Sequence, residues 1–345
     1  MKLLHPASLS VAVLLLLAAS PAAAQRFPFE HTVSVAGPVT VEIVTDRGRI
    51  EVTEGAPGRV AVAGAVTVRV GFTVPANAIE LARQVAAQPP IERTGDTIRL
   101  TDPAGAAERR AVTVNYVVQV PAGTTVRTRS DSGATTVRDV SGAVDIQTQS
   151  GAIDVRDLGA GALVTTGSGS VDIAGVRGDL SVTTSSSAIS LQRIGGPLRV
   201  RTGSGAVDAG MAGDGAVDIE TRSSAVRVGG ATGALAVRTG SGAVHLRGNP
   251  AREAWDVSTG SGSIDLRVPP AAAFRLDAQT GSGSVDLTGA EITGSTGKRT
   301  VTGTIGGDSG GGSGSGGGSG GGALVHARSR SGSVRVTVAD DSALR

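Results

Sequence analysis

Five aspartates recur at one step after a Ser/Gly corner, and their type and spacing come closest to chemistry. They are Asp154, Asp172, Asp208, Asp265 and Asp286. They sit in the segments QSGAIDV (149–155), GSGSVDI (167–173), GSGAVDA (203–209), GSGSIDL (260–266) and GSGSVDL (281–287). Other corners put Ser190, Arg227, His245 and Arg335 in that place. Three chemistries suit such a column. The plainest is a solvated face whose charge keeps a sheet soluble and discourages edge pairing. A second is Ca²⁺ held between neighbouring carboxylates. The solenoid precedent for Ca²⁺ is the nonapeptide G-G-x-G-x-D-x-U-x. Here one glycine corner comes per 18 residues, and the Asp follows an aliphatic residue in a different register. The third is a polysaccharide-cleaving site, which needs a strong base beside the acids, and Arg is present in many repeats.

Other chemistry finds less support. There is no Cys, and beyond residue 24 the histidines are His31, His245 and His326, with no ligand spacing among them. A transition-metal centre is not expected. The GSGSV segments superficially resemble the G-x-S-x-G elbow, but that elbow needs a strand-to-helix turn, and no helical pattern follows. No catalytic residue is therefore assigned. No cofactor is expected, with Ca²⁺ on the Asp column as the one candidate. The net charge is +2, with acids and bases interspersed and Lys298 the single Lys beyond residue 24. A nucleic-acid binder shows a clustered basic patch, so that partner is discounted.

The elements that position the Asp column are read from the repeat. The Ser of the corner falls at 132, 150, 168, 186, 204, 223, 241, 261, 282 and 331. Around each corner the apolar residues alternate, as in Leu180, Val182 and Thr184, then Ile189 and Leu191. Period-two alternation is strand patterning with every second side chain inward. Gly at the corners supplies backbone angles that other residues resist. One coil cannot bury its own apolar face, so coils must stack, with Val164, Val182 and Val200 above one another. The predicted fold is all-β: a β-solenoid of about ten coils of 18–21 residues, with a β-rich N-terminal cap containing one short helix. The Thr before each corner (148, 166, 184, 202, 221, 239, 259, 280) shares the inward parity. Its hydroxyl is expected to bond to the adjacent coil. Trp255 and Phe274 are expected inside, in one column. The Asp column is expected outside.

The flanks divide the chain. Residues 1–24 read as a signal peptide: Lys2, an apolar run from Leu9 to Ala19, and Ala22-Ala23-Ala24 before Gln25. Residues 25–125 read as a β-rich capping region, with a helical segment at Ala76 to Ala87 that Asn77 could cap. Within it, TDRGRIEV from Thr45 resembles a degenerate corner. Residues 126–296 carry the repeats, 297–322 form a Gly/Ser-rich flexible loop, and 323–345 a final coil and tail. Asp340 and Asp341 are expected to blunt an edge. Export to the periplasm or cell surface follows from the leader.

The repeated SG-[AS]-[VI]-D-[VIL] corner, the leader and the block GKRTVTGTIGG (297–307) with ARSRSGSVRV (327–336) resemble the bacterial "putative adhesin" family of exported domains of unknown function. The resemblance runs from about Val39 onward. It implies a β-solenoid sent to the envelope, and it carries no catalytic or binding residues across. The expected role is a non-enzymatic, adhesin-like structural or binding module acting through a long repetitive surface. Envelope polysaccharide or envelope protein would be the partner, and self-association of the rods is open. The alternative is a carbohydrate-active β-helix enzyme, a lyase or hydrolase. It would require the enlarged corners at Asn249-Pro250 and Pro269-Pro270 to bring acids and Arg together over one face.

Overall fold

The computed structural model describes residues 25–69, 76–306 and 322–339. The predicted leader, most of the Gly/Ser stretch, and Asp340 and Asp341 lie outside the described residues. The chain is mostly β, in two long, largely parallel sheets. Each coil contributes one strand before the Ser/Gly corner to a leading sheet and one after it to a trailing sheet. The repeat length sets the register. Ala162 pairs with Leu180 and Leu180 with Leu198, while Val164, Val182 and Val200 form the next column. These columns face inward and are buried. Eleven such two-strand rungs stack, from Thr40–Thr45 with Ile50–Glu54 onward. At a strand spacing of about 4.8 Å they make a rod of roughly 50 Å.

The corner explains its own composition. A methyl group on Gly151 would overlap the carbonyl oxygen of Gly133, and one on Gly169 that of Gly151. Each corner therefore rests on the bare backbone of the one below. The preceding Thr closes the turn. Thr148 and Thr166 accept the N–H of Gly151 and Gly169 at 3.0 and 3.3 Å within their own coils. Thr259 and Thr280 instead donate across to Gly242 and Gly332 in neighbouring coils, at 3.2 and 2.6 Å. The expected inter-coil bond thus holds for part of the series, and a local cap replaces it elsewhere.

At the first end, each sheet gains one further parallel strand and then antiparallel strands. Arg26–Ser34, Arg59–Val68 and Val112–Val120 extend the trailing sheet. Thr97–Thr101 and Ile91–Thr94 extend the leading sheet. A helix, Ala78–Ala87, buries Ala78, Leu81, Ala82 and Val85. Asn77 sits at its N-cap but its side chain makes no capping bond. A second helix, Ala106–Ala111, corrects the expectation of a single one. It is six residues long, with no capping side chain at Gly105, so its sequence carries little signal. Tyr116 is buried in this cap, meets Phe29 edge-on at 5.9 Å and donates to the Thr101 carbonyl at 2.6 Å.

The far end departs from sequence order. Ala323–Ser331 lies between Trp255–Ser261 and Phe274–Ser282, and Val334–Val338 lies between Ile264–Val268 and Val285–Thr288. The coil that comes last in sequence is thus next to last in the stack. Beyond it, Thr300–Ile305 and Ile292–Thr296 run antiparallel and cover the leading sheet. Trp255 and Phe274 are both buried, as expected. They do not share a column: Trp255 and Leu276 both pair with Val325, and Phe274 pairs with Ala323. Trp255 lies six residues before Ser261 and Phe274 eight before Ser282, so counting back from the corners gives Leu276 as the counterpart of Trp255.

Candidate functional site

The five aspartates lie on the outward face of the trailing sheet, in one column. From the first rung it reads Glu51, Thr136, Asp154, Asp172, Ser190, Asp208, Arg227, His245, Asp265, Arg335 and Asp286. Strand alternation places them there, because the residues on either side of each Asp point inward. The column is not a continuous acidic ladder. Asp154 and Asp172 are adjacent, but Arg138 and Arg156 clamp them. Arg138 lies 2.7 Å from Asp154, and Arg156 lies 2.8 Å from both Asp154 and Asp172. The hydrogen bond from Arg138 to Asp154 raises the Arg138 pKa, and that from Arg156 to Asp172 raises the Arg156 pKa. Asp208 sits between Ser190 and Arg227. Asp265 has Arg267 at 3.3 Å and His245 at 3.6 Å. Asp286 sits beside Arg335 and accepts from the Ser284 hydroxyl at 3.0 Å.

Ca²⁺ takes six to eight oxygen ligands. Among the described residues no three His, Asp or Glu side chains converge as a metal set. With guanidinium groups between the carboxylates, the donor set does not fit that ion.

A groove opens midway along this face. It is about 510 Å³ and is lined by Asp208, Arg227, His245, Arg247, Asp265 and Arg267, with Gly229 at its floor. Its origin is a gap in the neighbouring column. There Arg156, Ala174 and Gln192 are aligned, Gly210 pairs with Gly229, and Arg247 with Arg267, with a register irregularity on either side of the glycine pair. No atom lies within 4 Å of where a side chain on Gly229 would begin. Long side chains on the rungs above therefore wall a space that the glycines leave empty. Three guanidinium groups and a histidine face two carboxylates, a balance that favours an anionic ligand. Arg suits carboxylates because its planar fork can bind both oxygens at once.

The leading face is built differently. Its acids are matched to bases on adjacent rungs. Asp218 meets Arg199 and Arg201 at 3.4 and 3.2 Å, and Glu220 also pairs with Arg201. Asp256 meets Arg238 at 2.7 Å. Asp277 meets His326 at 3.0 Å and Arg328 at 3.2 Å. Partial burial pushes the Asp277 pKa up, but hydrogen bonds from Gln279, Arg328 and His326 outweigh it, and the net shift is downward.

Two further clusters escaped sequence reasoning. At the second corner, Asp139, Asp157 and Arg193 adopt left-handed backbone at φ 55°, 53° and 55°, with Gly175 in the same column at 73°. Because Gly175 has no side chain, Asp157 reaches past it to Arg193 at 3.2 Å. Non-Gly residues in this region carry local strain. Gly175 is a glycine that could have marked the place. In the first-end cap, the Asp102 pKa is raised to about 6 by burial, against the hydrogen bond it accepts from the Asp46 N–H at 2.6 Å. Asp46 and Asp131 nearby add to the rise. Nothing in the spacing of 46, 102 and 131 announced their meeting.

The enlarged corners at Asn249-Pro250 and Pro269-Pro270 border a smaller groove of about 280 Å³. Arg247 and Arg267 line it, and no acid does.

The family described as Toastrack DUF4097 matches residues 179–309, which hold the groove and the rungs around it. No curated protein matches the chain. Two solved structures are similar. One is a "putative cell adhesion protein" from Clostridium sporogenes, 10% identical, covering 90% of this chain and 99% of its own, with a TM-score of 0.18. The other is a "putative adhesin" from Bacteroides fragilis, 9% identical, covering 90% of this chain and 96% of its own, with a TM-score of 0.26. The sequence resemblance to exported domains of unknown function thus rests on a defined stretch, and residues 179–309 carry the match to the Toastrack DUF4097 family.

Proposed function

We propose that the protein is a non-enzymatic, adhesin-like binding module of the cell envelope, and that it holds acidic polysaccharide on the trailing face. The observation that carries this is the groove at Asp208, Arg227, His245, Arg247, Asp265 and Arg267. It is open and crosses four successive rungs, and its charge balance suits a polyanion. It lacks an aromatic platform, so charge and hydrogen bonding would supply the recognition. The acids in it serve to orient Arg side chains and sugar hydroxyls. The aspartates at 154, 172, 208, 265 and 286 are, in this reading, the frame of a binding face. Export to the periplasm or surface is part of the same proposal and rests on the leader sequence.

The test is binding of purified protein to polygalacturonate and to a neutral glucan, by calorimetry, with and without chelator, while the sugar is assayed for shortening. Saturable binding to the acidic polymer alone, insensitive to chelator and lost in Arg227→Ala/Arg267→Ala, is expected. Equal binding to the neutral polymer would refute the role of charge. Loss of binding with chelator would restore the Ca²⁺ reading. Shortened sugar would put a carbohydrate-active enzyme first.

A further inference from the structure

The coil 323–338 is buried in the stack, yet it enters between two rungs that precede it in the chain. Val325, Ala327, Val334 and Val336 are fully buried there. The two walls of its slot are equivalent in register. Trp255 and Leu276 both face Val325, Thr259 and Thr280 both face Ser329, and Ile264 and Val285 both face Val334. Everything that recognises the coil is therefore supplied by repeat geometry and by Asp277, which takes His326 and Arg328. None of it depends on which chain the coil comes from.

The connection to the coil is much longer than its seat requires. Residues 306–322 number seventeen, all Gly or Ser except Asp308. Ile305 and Ala323 flank Phe274 on opposite sides. Their separation is thus about 10 Å, two strand spacings. Seventeen residues can reach roughly 55–60 Å when extended, about the length of the rod.

We propose that coil 323–338 is an exchangeable element that also seats in the same slot of a second copy of this chain, giving a reciprocally swapped dimer. Exchange of an identical element between protomers needs no new contacts. The tether gives the chain's own coil an effective concentration in the millimolar range. Dilute protein therefore closes on itself. Crowded protein, or protein with a connection too short to turn back, pairs with a neighbour. This inference is independent of what the trailing face binds.

The absence of Cys makes the test clean. Ser258 faces Arg328 across the slot. Chains carrying Ser258→Cys and tagged chains carrying Arg328→Cys are refolded together at rising concentration, oxidised and separated without reductant. The expected result is a mixed-disulfide dimer whose share rises with concentration. It becomes the main product when residues 307–322 are deleted from both chains, because Gly306 alone reaches only about 7 Å of the roughly 10 Å from Ile305 to Ala323. The double variant Ser258→Cys/Arg328→Cys, refolded dilute, is expected to close an intrachain disulfide that confirms the seat. Absence of mixed dimer at every concentration, with the deletion variant a folded monomer, would overturn the proposal. So would failure of the double variant to close.

Discussion

Replacing Asp102 by Asn should stabilise the protein at neutral pH and flatten its pH dependence. The carboxyl of Asp102 is half-buried beside Asp46 and Asp131, and its pKa is raised from 3.8 to about 6. A group that holds its proton more tightly when folded lends its full stability below the unfolded pKa, near pH 4. That stability is lost as the pH rises through about 6. At about 1.4 kcal/mol per tenfold change, the rise corresponds to about 3 kcal/mol. Residual wetting of the carboxylate lowers this to about 1–3 kcal/mol. Asn keeps an oxygen for the Asp46 N–H and removes the charge. Urea unfolding followed by far-ultraviolet circular dichroism at pH 3.5, 5, 6.5 and 7.5 reads the effect. Asp102→Asn should match the parent at pH 3.5 and exceed it by about 1–3 kcal/mol at pH 7.5. A variant no more stable at pH 7.5, or a parent whose stability does not fall between pH 4 and 6.5 relative to it, would refute the reasoning.

Other perturbations read other parts of the fold. Gly151→Ala drives a methyl group into the Gly133 carbonyl. It should cost about 1–3 kcal/mol in urea unfolding, whereas Gly229→Ala, with open space around it, should cost under about 1 kcal/mol. Ile219→Ala empties a fully buried position in the inward column and should cost about 2–4 kcal/mol in the same assay. Trp255→Phe strips the donor from the Gly233 carbonyl, which it meets at 3.0 Å, and should cost about 1–3 kcal/mol. Asp277→Asn removes the partner of His326 and Arg328. Because the Asp277 pKa is depressed, its contribution is present above pH 4 and disappears on acidification. The variant should therefore release the coil 323–338 more readily at pH 7 than the parent, by faster amide exchange in Ala323–Ser331, and equally at pH 2.5.

Much of the fold was legible because an 18-residue period leaves few ways to stack. Once Val164, Val182 and Val200 are aligned, the parity of each strand follows, and so does the outward place of Asp154 and Asp172. The position of coil 323–338 was not legible. Its residues fit the repeat equally well at the end of the stack or inside it, so the sequence pattern holds no preference between them. The left-handed corner at Asp139, Asp157 and Arg193 was hidden because those residues rarely adopt such backbone. Columns could be read from spacing, but the neighbours that neutralise them could not. The clamp of Arg138 and Arg156 on the first two aspartates depends on how long side chains lean between rungs. The groove depends on Gly210 and Gly229, which lie outside the repeated corner.

The antiparallel strands at the two ends have a consequence for size. A parallel rung can be extended by another parallel rung of like register, which makes an open stack a template for growth. Among the described residues, Arg26–Ser34 and Ile91–Thr94 are the outermost strands at the first end, and Ile292–Thr296 is outermost at the far end of the leading sheet, each antiparallel to its neighbour. The remaining edge, Val285–Thr288, is four residues long and has its first N–H occupied by the Lys298 carbonyl at 2.9 Å. The molecule is therefore a strut of set length, with the rung count written into the chain and not chosen by assembly. Whatever sits on the trailing face is held at a constant distance from either tip, and a longer strut calls for duplication of an 18-residue unit.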